Sequence, residues 1–127
     1  MDLKEVTHQV IGAAIEVHRL LGPGLLESAY KQSHCHELRL RGIRFDVERP
    51  LPVRYKGVQL DCGYKLDLVV EDAVVLELKA VEKLLPIHEA QFLTYLKFGG
   101  WSVGLLMNFN AVKLTDGLKR IVCNYQD

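Results

Sequence analysis

Apolar residues recur in the first segment at Leu3, Val6, Val10, Ala13, Val17 and Leu20, in the steps of three and four that line one side of a helix. This spacing predicts a helix over 2–21. Gly22-Pro23-Gly24 ends it, because proline lacks a backbone donor and glycine leaves the helical region without strain. A second helix is expected from Leu25 to Arg41, with Gly42 as its C-terminal stop. From Ile43 the pattern changes to short stretches rich in β-branched and aromatic residues. IRFDVER, LPVRYKG and VQLDCG read as strands bounded by turns. YKLDLVV and AVVLELKAV, separated by Glu71-Asp72, predict a hairpin buried on at least one face. Pro86 suits the first position of a helix that turns Phe92, Leu93 and Leu96 inward and stops at Gly99-Gly100. WSVGLLMNF is expected as a buried strand and GLKRIVCNY as an edge strand. Helices, then strands, then a helix between strands predict an α/β or α+β sandwich on a mixed sheet.

At 127 residues the chain suits one domain over 1–127. Its 49% hydrophobic and 25% charged residues exclude a disordered chain, a collagen-like repeat and a disulfide-dense miniprotein. Sixteen basic residues balance sixteen acidic ones, so no global field draws the protein to a polyanion, and any such ligand must be held locally. Cys35, Cys62 and Cys123, odd in number and widely spaced, suit free thiols in a reducing compartment. His34-Cys35-His36 is no zinc site, since neighbouring residues on a helix diverge and no CxxC pair follows. With no signal architecture and no apolar run of membrane-spanning length, the expected location is the cytoplasm, without membrane contact. The apolar stripe of the first helix suits either the core or a second copy of the chain, which leaves a homodimer open.

Charge inside the apolar hairpin is the strongest chemical signal. Asp67, Glu77 and Lys79 interrupt strands in which a buried ion costs several kcal/mol unless it is paired or bound to a metal. Glu77 and Lys79, two apart, share a face. Asp67 joins them only if the connecting loop has an odd number of residues, such as Glu71-Asp72-Ala73 with a bulge. A two-residue loop would set Asp67 opposite Leu76 and send the carboxylates to opposite faces. In the odd register, two carboxylates and an ammonium converge as Mg²⁺ or Mn²⁺ with an attacking water would require. The same residues also suit a structural Asp–Lys pair or a solvated edge strand.

Asp67 followed by Glu77-Leu78-Lys79 on the next strand resembles the PD-(D/E)XK nuclease superfamily. Gln91-Phe92-Leu93-Thr94-Tyr95 looks like the QxxxY motif of its RecB-type branch. Gly24-Leu25-Leu26-Glu27-Ser28-Ala29-Tyr30 matches the signature of the GxxExxY family, and VLELKAVEKL and LLMNFN resemble two further stretches of that family. The resemblance runs from about Ile11 to Val122, and Leu66 stands where the superfamily motif has proline. It implies a restriction-endonuclease-like core, with a mixed central sheet flanked by helices. It further implies catalytic roles for Glu27, Asp67, Glu77, Lys79, Gln91 and Tyr95, with Asp67, Glu77 and Glu27 as ligands of Mg²⁺ or Mn²⁺. The implied reaction is phosphodiester hydrolysis in nucleic acid, DNA before RNA.

The residues themselves are compatible with these roles. Gln91 and Tyr95 share one helical face, with His88 three residues before, so a polar strip is able to look toward the hairpin; sheet anchoring is the plainer alternative. Glu27 lies in the first turn of its helix, where the macrodipole favours an acid whatever its function. Tyr30 reads as a core residue, and His34 has no assigned role. Between Lys31 and Lys56, seven basic residues face three acidic ones, which suggests a basic shoulder or simply a solvated surface. A rival reading keeps the fold as a catalytically silent module that binds nucleic acid or a protein. A two-carboxylate glycoside hydrolase leaves Lys79 and Gln91 unexplained.

Overall fold

In a computed structural model, residues 1–123 are described. Helix α1 (Leu3–Leu21) begins where Asp2 accepts the Glu5 N–H at 2.8 Å. Val6, Val10, Ala13 and Val17 are buried, but Leu3 and Leu20, at the ends of the predicted stripe, are 40% and 67% exposed. A helix of 19 residues is about 28 Å long and overhangs strands of about 20 Å. Helix α2 spans Glu27–Leu40 and is followed by Gly42 at φ +70°. It starts two residues later than expected because Leu25 gives its N–H to the Tyr30 hydroxyl at 3.0 Å and Leu26 is extended.

The strands are β1 (Phe45–Pro50), β2 (Val53–Tyr55), β3 (Val58–Leu60), β4 (Lys65–Val70), β5 (Val74–Lys79), β6 (Val103–Asn108) and β7 (Leu118–Val122), with α3 (Pro86–Gly99) between β5 and β6. Five of them form one sheet in the order β1-β4-β5-β6-β7, in which only β5 and β6 are parallel. The parallel pair follows from α3, since a crossover helix returns the chain to the same end of the sheet. β2 and β3 stand apart as a small hairpin turned at Lys56-Gly57, both with positive φ. β7 is an edge strand, as the sequence predicts; Asn124 and Tyr125, the last two residues of that expected strand, lie outside the described residues. A 3₁₀ turn over Leu114–Gly117, which the pattern did not announce, leads into β7.

The sheet is covered on both faces. Leu68, Val70, Leu76, Leu78 and Met107 pack against α1 and α2, while Val69, Val75 and Leu106 pack against Phe92 and Leu96 of α3. Leu93, expected inside, is 42% exposed, because the contact with the sheet is one narrow strip of α3. That contact is close: a side chain at Gly104 of β6 would collide with the Phe92 ring. Among the described residues, no helix is long and apolar enough to cross a membrane.

His34, which the sequence left without a role, is fully buried in the α1–α2 layer. Its Nε2 lies 3.2 Å from the Val10 carbonyl, its ring sits edge-on to Phe109, and Nδ1 has no hydrogen-bond partner among the described residues. Burial pushes its pKa down to about 4, so the folded protein holds it neutral. The unfolded chain takes up a proton near pH 6.5 and the folded one resists until about pH 4, so stability is complete above pH 6.5 and declines as pH falls. Urea titrations at pH 7.5 and pH 5 should show a loss of about 2 kcal/mol from this residue alone. His34→Leu should remove that component, and an unchanged pH slope in the variant would contradict the assignment.

Candidate active site

The β4–β5 connection sets the geometry. Glu71 and Asp72 both have φ +51°, and Ala73 donates its N–H to the Val70 carbonyl at 3.0 Å, which closes a tight two-residue turn. Ala73 is then left over as a bulge, so Val70 pairs with Val74, Val69 with Val75 and Leu68 with Leu76. The loop is therefore odd, and its register carries Asp67 opposite Glu77. Side-chain bonds hold the strained turn. Glu71 binds the Arg44 N–H at 3.1 Å and its guanidinium at 3.2 Å, and Asp72 binds Arg49 at 2.9 Å.

Ladder pairing ends at Leu68 and Leu76, although β4 begins at Lys65 and β5 continues to Lys79. Where the strands part, Oδ2 of Asp67 takes the place of a backbone carbonyl and accepts the Leu78 N–H at 2.9 Å. Strand alternation also breaks here, since Leu66 and Val69, three apart, both belong to the α3 side of the core. At this break Asp67 is within reach of Lys31 from α2, on the other layer. The Lys31 ammonium lies 3.3 Å from Oδ1 of Asp67 and 3.3 Å from Glu48.

Glu77, Glu27, Asp67 and Lys79 sense one another electrostatically. Burial pushes the Glu77 carboxyl up to about 9, helped by a hydrogen bond to Asp67 and its charge and opposed by Lys79. Glu27 is raised by burial and by Asp67, with Lys79 and Lys31 opposing. Tyr95 is raised by burial and then by Glu77, so its hydroxyl belongs to the same cluster. Gln91 donates to that hydroxyl at 3.0 Å, and the Tyr64 ring lies 5.6 Å from the Tyr95 ring. All six residues singled out in the sequence are thus connected. His88 is not part of the strip: its Nδ1 accepts the Leu85 N–H at 3.0 Å and caps α3.

A sequence model of the PD-(D/E)XK nuclease superfamily matches residues 4–121. The chain belongs to the PD-(D/E)XK nuclease superfamily. Its mixed α/β architecture, a five-stranded sheet flanked by three helices, agrees with that assignment. No curated protein and no solved structure matches the chain.

In this member of the PD-(D/E)XK superfamily, two segments away from the strand carboxylates support the site. Asn108 at the end of β6 is buried and accepts the N–H groups of Val81 (3.0 Å) and Asn110 (3.2 Å), while its amide donates to the Val81 carbonyl at 2.9 Å. The Phe109 N–H reaches the Lys79 carbonyl at 2.9 Å, so the end of β5 is clamped where Lys79 leaves it. Tyr30 is a core residue: its ring stacks on Phe109 at 4.9 Å, and its hydroxyl donates to the Gly22 carbonyl at 2.7 Å. With the Gly24 N–H bound to Asn110 at 3.1 Å, these contacts fix the loop that delivers Glu27.

Lys31, Asn108 and Tyr64 were absent from the predicted site. A polar Asn within the apolar run LLMNF was a legible signal for Asn108. Nothing local marks Lys31, whose partners are 17 and 36 residues away. The basic shoulder is largely neutralised: Lys31, Arg41, Arg44 and Arg49 are each paired with carboxylates. Several of those partners, Asp67, Glu71 and Asp72, lie beyond the window in which the surplus was counted. Among the described residues, no group of three or more His, Cys, Asp or Glu side chains is gathered tightly enough to hold a metal ion.

Glu77 ionises in the unfolded chain near pH 4.5 but resists until about pH 9 in the fold, so its contribution is complete below pH 4.5 and lost as pH rises. In chelator at pH 8, Glu77→Gln should therefore raise Tm by ~5 °C, with little change at pH 5. A lower Tm at pH 8 would show that the carboxylate stabilises the fold.

Proposed function

We propose that the protein hydrolyses phosphodiester bonds in nucleic acid, using Asp67 and Glu77 to hold Mg²⁺ or Mn²⁺. The observation that carries this reading is the odd register of the hairpin, which brings both carboxylates together beside Lys79 where the strands part. The donor set fits a hard divalent cation, because it offers carboxylate oxygens alone. Glu77 keeps its proton up to about pH 9 because it is buried beside Asp67, and Lys79 offsets this only in part. A divalent cation held by Asp67 and Glu77 would supply Lewis-acid polarisation of the phosphate and lower the pKa of water.

The remaining residues position substrate and charge. Lys79 orients the water and balances negative charge that builds on the phosphate oxygens. Gln91 donates to the Tyr95 hydroxyl, which leaves the phenolic proton for a phosphate oxygen. Glu27, at the start of α2, is the third carboxylate of this reading; burial and Asp67 raise its pKa and Lys79 lowers it, and among the described residues the three carboxylates do not form a ready metal cluster.

Calorimetry with Mn²⁺ should show binding by the wild type and a loss of more than roughly tenfold in Asp67→Asn and in Glu77→Gln, each still folded. Lys79→Met should keep the metal and lose about 10²- to 10³-fold in turnover on DNA or RNA. No binding at millimolar Mn²⁺ and no cleavage of either polymer would move the assignment to the catalytically silent module.

Lys31 bridges Asp67 and Glu48, so a cation at Asp67 would compete with its ammonium. Lys31→Met should tighten Mn²⁺ binding on the order of tenfold. Glu48→Gln should weaken it in the wild type and leave it unchanged in Lys31→Met. Equal effects of Glu48→Gln in both backgrounds would mean that Glu48 acts by its own charge and not through Lys31.

A further inference from the structure

Between α3 and the start of β2 lies an open groove of about 360 Å³ whose lining includes Val53, Tyr64, Ile87, Gln91, Tyr95 and Phe98. Gln91 and Tyr95 are shared with the candidate active site, so whatever enters the groove is continuous with a phosphate held there. Tyr64 and Phe98 are 43% and 45% exposed, and Ile87 at the rim is 66% exposed. Aromatic rings left in water beside a phosphodiesterase site are platforms for planar bases. We propose that this groove stacks unpaired bases flanking the scissile phosphate, and that the substrate is single-stranded nucleic acid.

This rests on the hydrolytic reading and narrows its substrate. Two further features favour a single strand. A duplex keeps its base faces inside its own stack, with none to offer to Tyr64 or Phe98. Duplex binding also relies on many simultaneous phosphate contacts. Here the protein carries no net charge, and Lys31, Arg41, Arg44 and Arg49 are held by carboxylates. An unpaired strand gains affinity from stacking, which needs few cations. The Tyr64 and Tyr95 rings are tilted by 53°, so they do not stack on one another.

The test is fluorescence anisotropy of a short labelled oligothymidylate and of a duplex of equal length, in chelator and low salt, with full-length protein. The single strand should bind more tightly than the duplex. Tyr64→Ala and Phe98→Ala should each weaken single-strand binding by about 5- to 100-fold. Tyr64→Phe should retain it, and Phe98→Leu, which keeps the apolar bulk and the fold, should still weaken it. Tighter duplex binding, or unchanged affinity in Phe98→Leu and Tyr64→Ala, would overturn the proposal. So would a wild-type dimer that Phe98→Leu dissociates while oligothymidylate fails to bind, since the groove would then seat a second copy. With Mn²⁺ added, ring-dependent single-strand binding without cleavage would uphold the groove and refute hydrolysis. Cleavage of the duplex alone would refute the groove and uphold hydrolysis.

Discussion

The register of the β4–β5 hairpin is the constraint on which the site depends. A β-strand presents alternate residues to opposite faces, so one residue more or less in the loop moves Asp67 from the side of Glu77 to the other side of the sheet. Ala73 is that residue. The turn that creates the bulge places Glu71 and Asp72 in a backbone region unfavourable to most side chains, and their bonds to Arg44, just before β1, and to Arg49 within β1 keep them there. The ion pairs at the sheet edge thereby fix the chemistry some four residues away.

Parting of the two strands beyond Leu68 and Leu76 has a cost, since Leu78 loses its ladder partner. Asp67 satisfies that amide with one oxygen and holds Lys31 with the other. The same carboxylate thus serves the fold and the site. For Glu77 burial outweighs the opposing charge of Lys79, and its retained proton is the consequence of burial next to Asp67. A buried carboxyl that stays protonated while the unfolded chain ionises costs the fold stability as pH rises, which ties the stability of the fold to pH.

The rest of the chain holds these groups still. Phe109 links the layers: Tyr30 stacks on it, His34 meets its edge, and its backbone joins the end of β5. The stretch from Gly24 to Tyr30 and the stretch from Asn108 to Asn110 form one joint, with Glu27 on one side and Lys79 on the other. Their polar residues satisfy backbone groups of irregular segments, which would otherwise be buried without partners.

Periodicity made the helices and most strands legible, because core burial imposes a period of 3.6 on helices and alternation on strands. The carboxylates and Lys79 stood out for the same reason, as charges in strands that should be apolar. Pattern alone left the hairpin register open between two alternatives, since both turns suit Glu71-Asp72 and only the pairing of β4 with its neighbours decides between them. Lys31 and the aromatic groove were equally beyond it. Lys31 reads as one surface cation among seven until α2 is laid against the parted strands, and Tyr64 is a loop residue until α3 brings Tyr95 and Phe98 beside it. The sequence by itself determined which residues carry charge and which faces are buried, because those depend on local spacing. Which charges meet, and across what opening, was decided by the tertiary structure alone, because electrostatic and stacking contacts depend on distance in space between segments far apart in the chain.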